Sequence, residues 1–433
     1  VSAELSVSPQ GRGSLPLSAA DIDGAAKRIA PVVAPTPLQL SERLSDVTGA
    51  TVYLKREDLQ TVRSYKLRGA YNLLVQLSDD ELAAGVVCSS AGNHAQGFAY
   101  ACRALGVHGR VYVPAKTPKQ KRDRIRYHGR EFIELIVAGS TYDLAAEAAM
   151  ADVERTGATL VPPYDDLRTM AGQGTIAVEV LAQLEELGGE PDLMVVPVGG
   201  GGCIAGVTTY LAERTTKTAV LGIEPAGAAA MMAALAAGEP VTLDHVDQFV
   251  DGAAVNRAGT LTYAALAAAG DMVSITTVDE GAVCTAMLDL YQNEGIIAEP
   301  AGALAVAGLL ETDVEPGSTV VCLISGGNND ISRYGEVLER SLIHLGLKHY
   351  FLVDFPQEPG ALRRFLDEVL GPNDDITLFE YVKRNNRETG EALVGIQLGS
   401  AADLDGLLAR MRATEIHVET LHPGSPAYRY LLL

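Results

Sequence analysis

The sequence predicts an α/β protein with parallel-rich sheets, followed by a smaller α+β module of ferredoxin-like order. Three observations predict it. Short β-branched runs alternate with amphipathic helical patterns through most of the chain, and strands separated by helices make βαβ units with buried parallel sheets. Near residue 345 this alternation gives way to one strand–helix–strand–strand–helix–strand run, the order of the split βαβ module. The chain has 433 residues, too many for one ordinary domain, so two or three are expected.

Along the chain, residues 1–17 are rich in Ser, Gly and Pro and read as a flexible arm. Strands are predicted over 51–54, 86–88, 110–113, 132–137, 192–198, 220–223 and 319–324, with helical patterns over 94–105, 141–155 and 280–294. A helix carrying Lys66 is expected to start from a Ser64 cap and to bury Leu67, Ala70, Leu73, Leu74 and Leu77. The basic stretch 116–130 interleaves its charges with Ile125 and Tyr127, and reads as one exposed face of a helix capped by Thr117. A helical connection over 331–347 leads to the tail. There the expected order is strand 349–355, a turn at Glu358, Pro359 and Gly360, helix 361–370, strand 376–383, a hairpin at 385–390, strand 392–398, helix 402–411 and strand 417–421.

Hydrophobic residues make up 47% and charged residues 21%, as in a globular enzyme with a large core. The formal charge of −21 argues against nucleic acid or an anionic membrane as the main partner. Five cysteines stand singly at 88, 102, 203, 284 and 322, with no Cys-x-x-Cys pair and no secretory leader pattern. That spacing predicts neither a disulfide framework nor a structural zinc, and suits a reducing cytoplasm. No apolar run approaches the length that spans a bilayer.

Three apolar strands run into glycine-bearing turns: Ser89 to His94, Gly199 to Cys203, and Ser325 to Asn328. Such turns present backbone N–H groups at helix starts, where the dipole and the orphan donors favour an anion. The four glycines 199–202 form the clearest phosphate cradle, and no lysine completes a nucleotide P-loop. Gly200, Gly202 and Ala205 also fit a dinucleotide fingerprint, with Glu224 at the distance of a ribose-binding acid. A nicotinamide enzyme therefore stays open on that segment, although it leaves Lys66 and the 90–94 turn without work. Lys66, at the mouth of a strand–loop–helix unit, could lose its proton on desolvation and attack an aldehyde as a Schiff-base lysine. The eight histidines show no metal-ligand pairing, so no metal site is expected. No Gly-x-Ser-x-Gly elbow supports a serine hydrolase.

With these segments in view, the chain resembles the biosynthetic threonine dehydratases (threonine ammonia-lyases), within the tryptophan-synthase-β-like family of pyridoxal 5'-phosphate enzymes. The matching motifs are Thr36-Pro-Leu, Lys55-Arg-Glu-Asp, Ser64-Tyr-Lys-Leu-Arg-Gly-Ala, Ser89-Ser-Ala-Gly-Asn-His-Ala-Gln-Gly, Gly199 to Cys203, Glu299-Pro-Ala-Gly-Ala and Ser325-Gly-Gly-Asn, in family order from about residue 30 to 340. The resemblance implies a two-lobed fold over 18–340, a linker over 341–348 and an ACT-like regulatory domain over 349–433. It implies that Lys66 is the Schiff-base lysine and general base. Asn93 would meet the cofactor ring's phenolic oxygen, and Ser325 its pyridine nitrogen. Gly199, Gly200, Gly201, Gly202 and Cys203 would hold the phosphate, and Ser90, Ala91, Gly92, Asn93 and His94 the substrate carboxylate. The implied reaction is α,β-elimination on L-threonine, giving 2-oxobutanoate and ammonia, with feedback inhibition by isoleucine relieved by valine, in a cytoplasmic homotetramer.

The chain departs from the family at Tyr65, where Phe is usual. Serine racemases place a second acid–base serine two positions before the turn's asparagine, where this chain has Ala91. Their divalent-metal site needs an acid six residues beyond its glutamate, and Glu224 is followed at that spacing by Ala230. Serine dehydratase or racemase activity is the alternative to threonine dehydration, and a nicotinamide dehydrogenase is the remoter one.

Overall fold

The computed structural model describes residues 17–215, 217–381, 388–414, 416–422, 425 and 428. The arm expected over 1–17 lies outside them except for Leu17, and so do residues 385–387 of the expected hairpin. The chain divides into two compact units, Val1–Asn329 and Asp330–Leu433.

All seven strands expected in the first unit form, within two sheets. The larger has six strands in the order Leu38–Leu40, Thr51–Arg56, Thr319–Ile324, Leu193–Pro197, Ala219–Pro225 and Val273–Val278. Its first pair is antiparallel and the rest are parallel. The smaller sheet is all parallel, in the order Ile133–Val137, Gly109–Val113, Val86–Ser89 and Thr159–Leu160. The central strands are continuous apolar runs such as Val320 to Ile324, because helices cover both their faces.

One helix joins the parts. Leu167–Glu186, capped by Asp166, packs against the Lys66–Leu74 helix on one side and against Gly202–Arg214 on the other. Missing side chains permit both crossings. A Cβ on Gly172 would lie 2.4 Å from the Arg68 carbonyl oxygen, and one on Gly206 would lie 2.2 Å from that of Met170. The Asn93–Leu105 helix approaches in the same way, since a Cβ on Gly97 would lie 2.9 Å from the Leu67 nitrogen. Three helix starts, at Lys66, Asn93 and Gly202, thereby converge.

Two expected caps are absent. Lys66 is the first residue of its helix, and Tyr65 occupies the cap position with no side-chain hydrogen bond. Ser64 instead forms a β-bridge with Gly326, and its hydroxyl has no partner among the described residues. The basic helix runs Lys119–Gly129 with Pro118 at its cap position, while Thr117 is buried and its hydroxyl has no partner among the described residues. Leu67, Ala70, Leu73, Leu74 and Leu77 are buried as expected.

The second unit follows the expected βαββαβ order. Its antiparallel sheet runs Asp375–Tyr381, Thr389–Gln397, Lys348–Pro356 and His417–Leu421, with the helices Ala361–Val369 and Leu404–Ala413 supplying Phe365 and Leu407 to its core. The helix Tyr334–His344 precedes the first strand and belongs to this unit.

Candidate active site

The strand Thr319–Ile324 ends at Ser325, whose carbonyl accepts the Tyr65 N–H at 3.2 Å, while Gly326 bridges to Ser64. Lys66 is thus fastened beside the end of a central parallel strand, where ligands of such sheets gather. Tyr65, Lys66, Asn93, Gly199, Glu299 and Ser325 line one cleft there.

The Lys66 Nζ donates to the Pro163 carbonyl at 3.0 Å and lies 5.1 Å from the centre of the Tyr65 ring. Burial lowers its pKa to about 8, against the weaker opposing pull of Cys203 and Glu299. Near neutral pH a share of this amine is therefore an unprotonated nucleophile. The Ser325 hydroxyl donates to the Ala301 carbonyl at 3.1 Å.

The glycine turn leads into the Gly202–Arg214 helix through Gly201, which sits at φ +90 and caps with no side chain. Added carbons would collide on each side: a Cβ on Gly200 would lie 2.4 Å from the Tyr164 ring, and one on Gly202 would lie 2.6 Å from Gln173 Oε1. Gly200 is braced by its carbonyl, which accepts from the Thr262 hydroxyl at 2.7 Å. Cys203 is buried on the first turn, and burial pushes its thiol up to about 12.

Of the five residues of the 90–94 turn, Asn93 lines the cleft and the other four do not. Ser90, Ala91 and Gly92 form the half-buried approach to the Asn93–Leu105 helix, whose cap Gly92 offers no side chain. The His94 ring turns inward, with Nε2 2.8 Å from the Val161 carbonyl and Nδ1 unpaired among the described residues. Burial, and secondarily Lys66, lower its pKa to about 3, so the imidazole is neutral. Only the main chain of His94 is available to an anion at this helix start.

Sequence reasoning gave Glu299 no role, yet its buried carboxylate accepts from Asn93 Nδ2, and Asn93 Oδ1 accepts from Asn328 Nδ2 at 2.8 Å. Burial pushes Glu299 up to about 7. Its position directly before Pro300, the first residue of a helix, was the available signal. A buried charge cluster behind the cleft was also missed. Arg68 pairs with Glu57 and with Glu179, each at 2.7 Å, while Lys55 meets Glu179 at 2.6 Å and the Thr36 carbonyl at 2.8 Å. The Thr36 hydroxyl donates to Glu57 at 2.5 Å.

Glu224, the candidate ribose acid, accepts the Met231 and Met232 N–H groups, each at 2.8 Å. Its two oxygens serve the start of the Ala230–Ala237 helix, which the sequence reading overlooked.

Residues 29–326 match the family described as "Pyridoxal-phosphate dependent enzyme", and residues 339–431 match "C-terminal regulatory domain of Threonine dehydratase". The chain is 89% identical over 432 residues to the biosynthetic L-threonine dehydratase IlvA of Mycobacterium tuberculosis (strain ATCC 25618 / H37Rv), covering 100% of both. It is 61% identical to that of Corynebacterium glutamicum over 415 residues, 96% of this chain and 95% of the relative. Among solved structures, the processed form of threonine deaminase isoform 2 from Solanum lycopersicum matches with a TM-score of 0.70 and 36% identity, over 77% of this chain and 96% of that one. Maize serine racemase matches with a TM-score of 0.68 and 30% identity, over 76% of this chain and 98% of that one.

Proposed function

The chain belongs to the biosynthetic threonine dehydratases, a family of pyridoxal 5'-phosphate enzymes, and from that premise we propose roles for its cleft residues. The reaction is the elimination of water from L-threonine, followed by release of 2-oxobutanoate and ammonia, in isoleucine biosynthesis.

The residues present fit the cofactor. A cradle closed to side chains by Tyr164 and Gln173 opens onto an uncapped helix start, and the amine of Lys66 lies in the cleft that Gly199 and Ser325 line. When bound, the cofactor supplies an aldehyde that joins an amine and a ring that draws electrons from the substrate's α-carbon. Lys66 is the attachment point, and once displaced by substrate its Nζ removes and holds the α-proton. The lowered pKa suits both tasks, and the Pro163 carbonyl gives the freed amine a fixed acceptor. Backbone N–H groups over Gly199, Gly200, Gly201, Gly202 and Cys203 would hold the phosphate. Asn93 Nδ2 has a second hydrogen beyond the one given to Glu299, which it would donate to the ring's phenolic oxygen. The Ser325 hydroxyl would meet the ring nitrogen, where a hydroxyl holds a proton less firmly than a carboxylate would. The start of the Asn93–Leu105 helix, with Ser90, Ala91 and Gly92 before it, receives the substrate carboxylate.

The sharing of one cleft by Lys66, Gly199 and Ser325 carries this reading. Borohydride reduction of the loaded enzyme and peptide mapping test it: the pyridoxyl tag belongs on Lys66, and a tag on any other lysine ends the assignment. A racemase reading lacks its second acid–base group, because the corresponding position is Ala91. Chiral analysis after incubation with L-serine should find little D-serine.

The second unit is a threonine-dehydratase regulatory domain. Isoleucine is the effector proposed for it, with valine opposing. The family match supports this, as does the ferredoxin-like sheet of this unit. A chain ended at Asn329 should keep turnover and lose the isoleucine response; unchanged inhibition would move the effector site into the first unit. The proposed assembly is a homotetramer in the cytoplasm, with light scattering as its check. No helix among the described residues is long and apolar enough to cross a membrane.

A further inference from the structure

Gln173 lies within the Leu167–Glu186 helix and is completely buried. Its Nε2 donates to the Pro163 carbonyl at 3.2 Å, the same oxygen that accepts from Lys66 Nζ at 3.0 Å. Its Oε1 has no hydrogen-bond partner among the described residues. Turning the amide over would press Oε1 against the Pro163 oxygen, acceptor on acceptor, so the orientation is fixed. Oε1 therefore faces the other way, against Gly202, where it lies 2.6 Å from the place a Cβ would take. Gly202 is the first residue of the helix that begins at the glycine cradle.

An amide oxygen carries lone pairs and no hydrogen, so only a donor can satisfy it. Ten buried side-chain polar atoms lack partners among the described residues, and the one at Gln173 is set apart by its place against the glycine cradle, where a ligand can complete it. A phosphate dianion brings acceptors alone, whereas the singly protonated form brings one O–H. A phosphate monoester loses its second proton near pH 6, so its surroundings decide which form is held at neutral pH. The helix start favours the dianion, and the Gln173 oxygen opposes it.

We infer that Gln173 Oε1 accepts a hydrogen bond from the cofactor phosphate and keeps that phosphate singly protonated at neutral pH. The inference rests on reading the 199–203 turn as the phosphate cradle. One amide then serves both proton-bearing groups, holding the acceptor of Lys66 with its nitrogen and the phosphate's proton with its oxygen.

Phosphorus NMR of the loaded enzyme across the neutral pH range tests this without turnover. In the unaltered protein the bound resonance should lie toward the monoanion value at neutral pH. Gln173→Met keeps the length and removes the amide oxygen, so the midpoint should fall by about one pH unit. A resonance fixed at the dianion value in the unaltered protein overturns the inference even if no variant folds. A Gln173→Met profile superimposed on the parent overturns it as well. If no phosphorus signal travels with the unaltered protein after loading, the cradle assignment itself falls, and this inference with it.

Discussion

Two groups of buried polar side chains adjoin the Lys66–Leu74 helix, and they handle charge in opposite ways. Behind the cleft, Lys55, Glu57, Arg68 and Glu179 form a closed set of two cations and two anions, every one paired. Burial opposes the charge on both cations and lowers Lys55, yet Glu57 and Glu179 hold Arg68 more firmly protonated than a free guanidinium. In the cleft, burial acts with weaker opposition. It brings Lys66 down to about 8 and Glu299 up to about 7, and against the glycine cradle Gln173 Oε1 has no partner among the described residues. The difference separates frame from site. Satisfied charges fix geometry, and unsatisfied groups are those a ligand can complete.

Lys66→Ala attacks the cleft most directly and has the largest expected effect. Turnover and the visible absorption of the bound cofactor should both disappear while the fold survives; retained turnover would remove Lys66 from the chemistry. Arg68→Met attacks the frame, leaving Glu57 and Glu179 buried with reduced compensation. Loss of one partner of a buried pair costs about 3–5 kcal/mol, which urea denaturation would show, together with weaker cofactor retention. A variant as stable as the parent would mean that the cluster holds nothing in place.

Glu299→Gln sharpens the contrast through pH. The folded protein favours the protonated carboxyl, so its stabilising contribution is complete below the unfolded value of 4.5 and is lost as pH rises through about 7. In cofactor-free protein the amide variant should match the parent at low pH and exceed it above neutrality, by an amount approaching about 3 kcal/mol. The Lys66 amine has the opposite sign: its contribution is present above 10.5 and is lost as pH falls through about 8. A stability difference independent of pH would refute the Glu299 shift. The smallest effect belongs to Lys119→Ala, which removes an ion pair with Asp123 whose side chains are 82% and 47% exposed. Screening by water leaves such a pair little weight, and thermal unfolding should not move.

The parts of this molecule legible in the sequence are those set by local pattern. The strand runs and the glycine turns carry their own periodicity, and Lys66 announces itself through the helix it opens. The short strands Leu38–Leu40 and Thr159–Leu160 were not legible, because two or three residues hold no period. Val273–Val278 was missed because its polar residues suit a partly buried edge. The Ser64 cap failed because a contact with Gly326, far along the chain, claimed that backbone. Arg68 and Glu179 stood in plain view, but nothing local pairs residues 111 positions apart. Gln173 looked like one more polar residue on a helix until both ends of its amide could be seen.

The crossing at Gly172 sets a limit on how this enzyme can vary. Its neighbour is the main-chain oxygen of Arg68, which has no alternative rotamer and cannot step aside. A single methyl group at that seam would push the opening turn of the lysine's helix away from the glycine cradle, without touching any reacting atom. A saturation library at residue 172 should therefore return almost nothing but the parent.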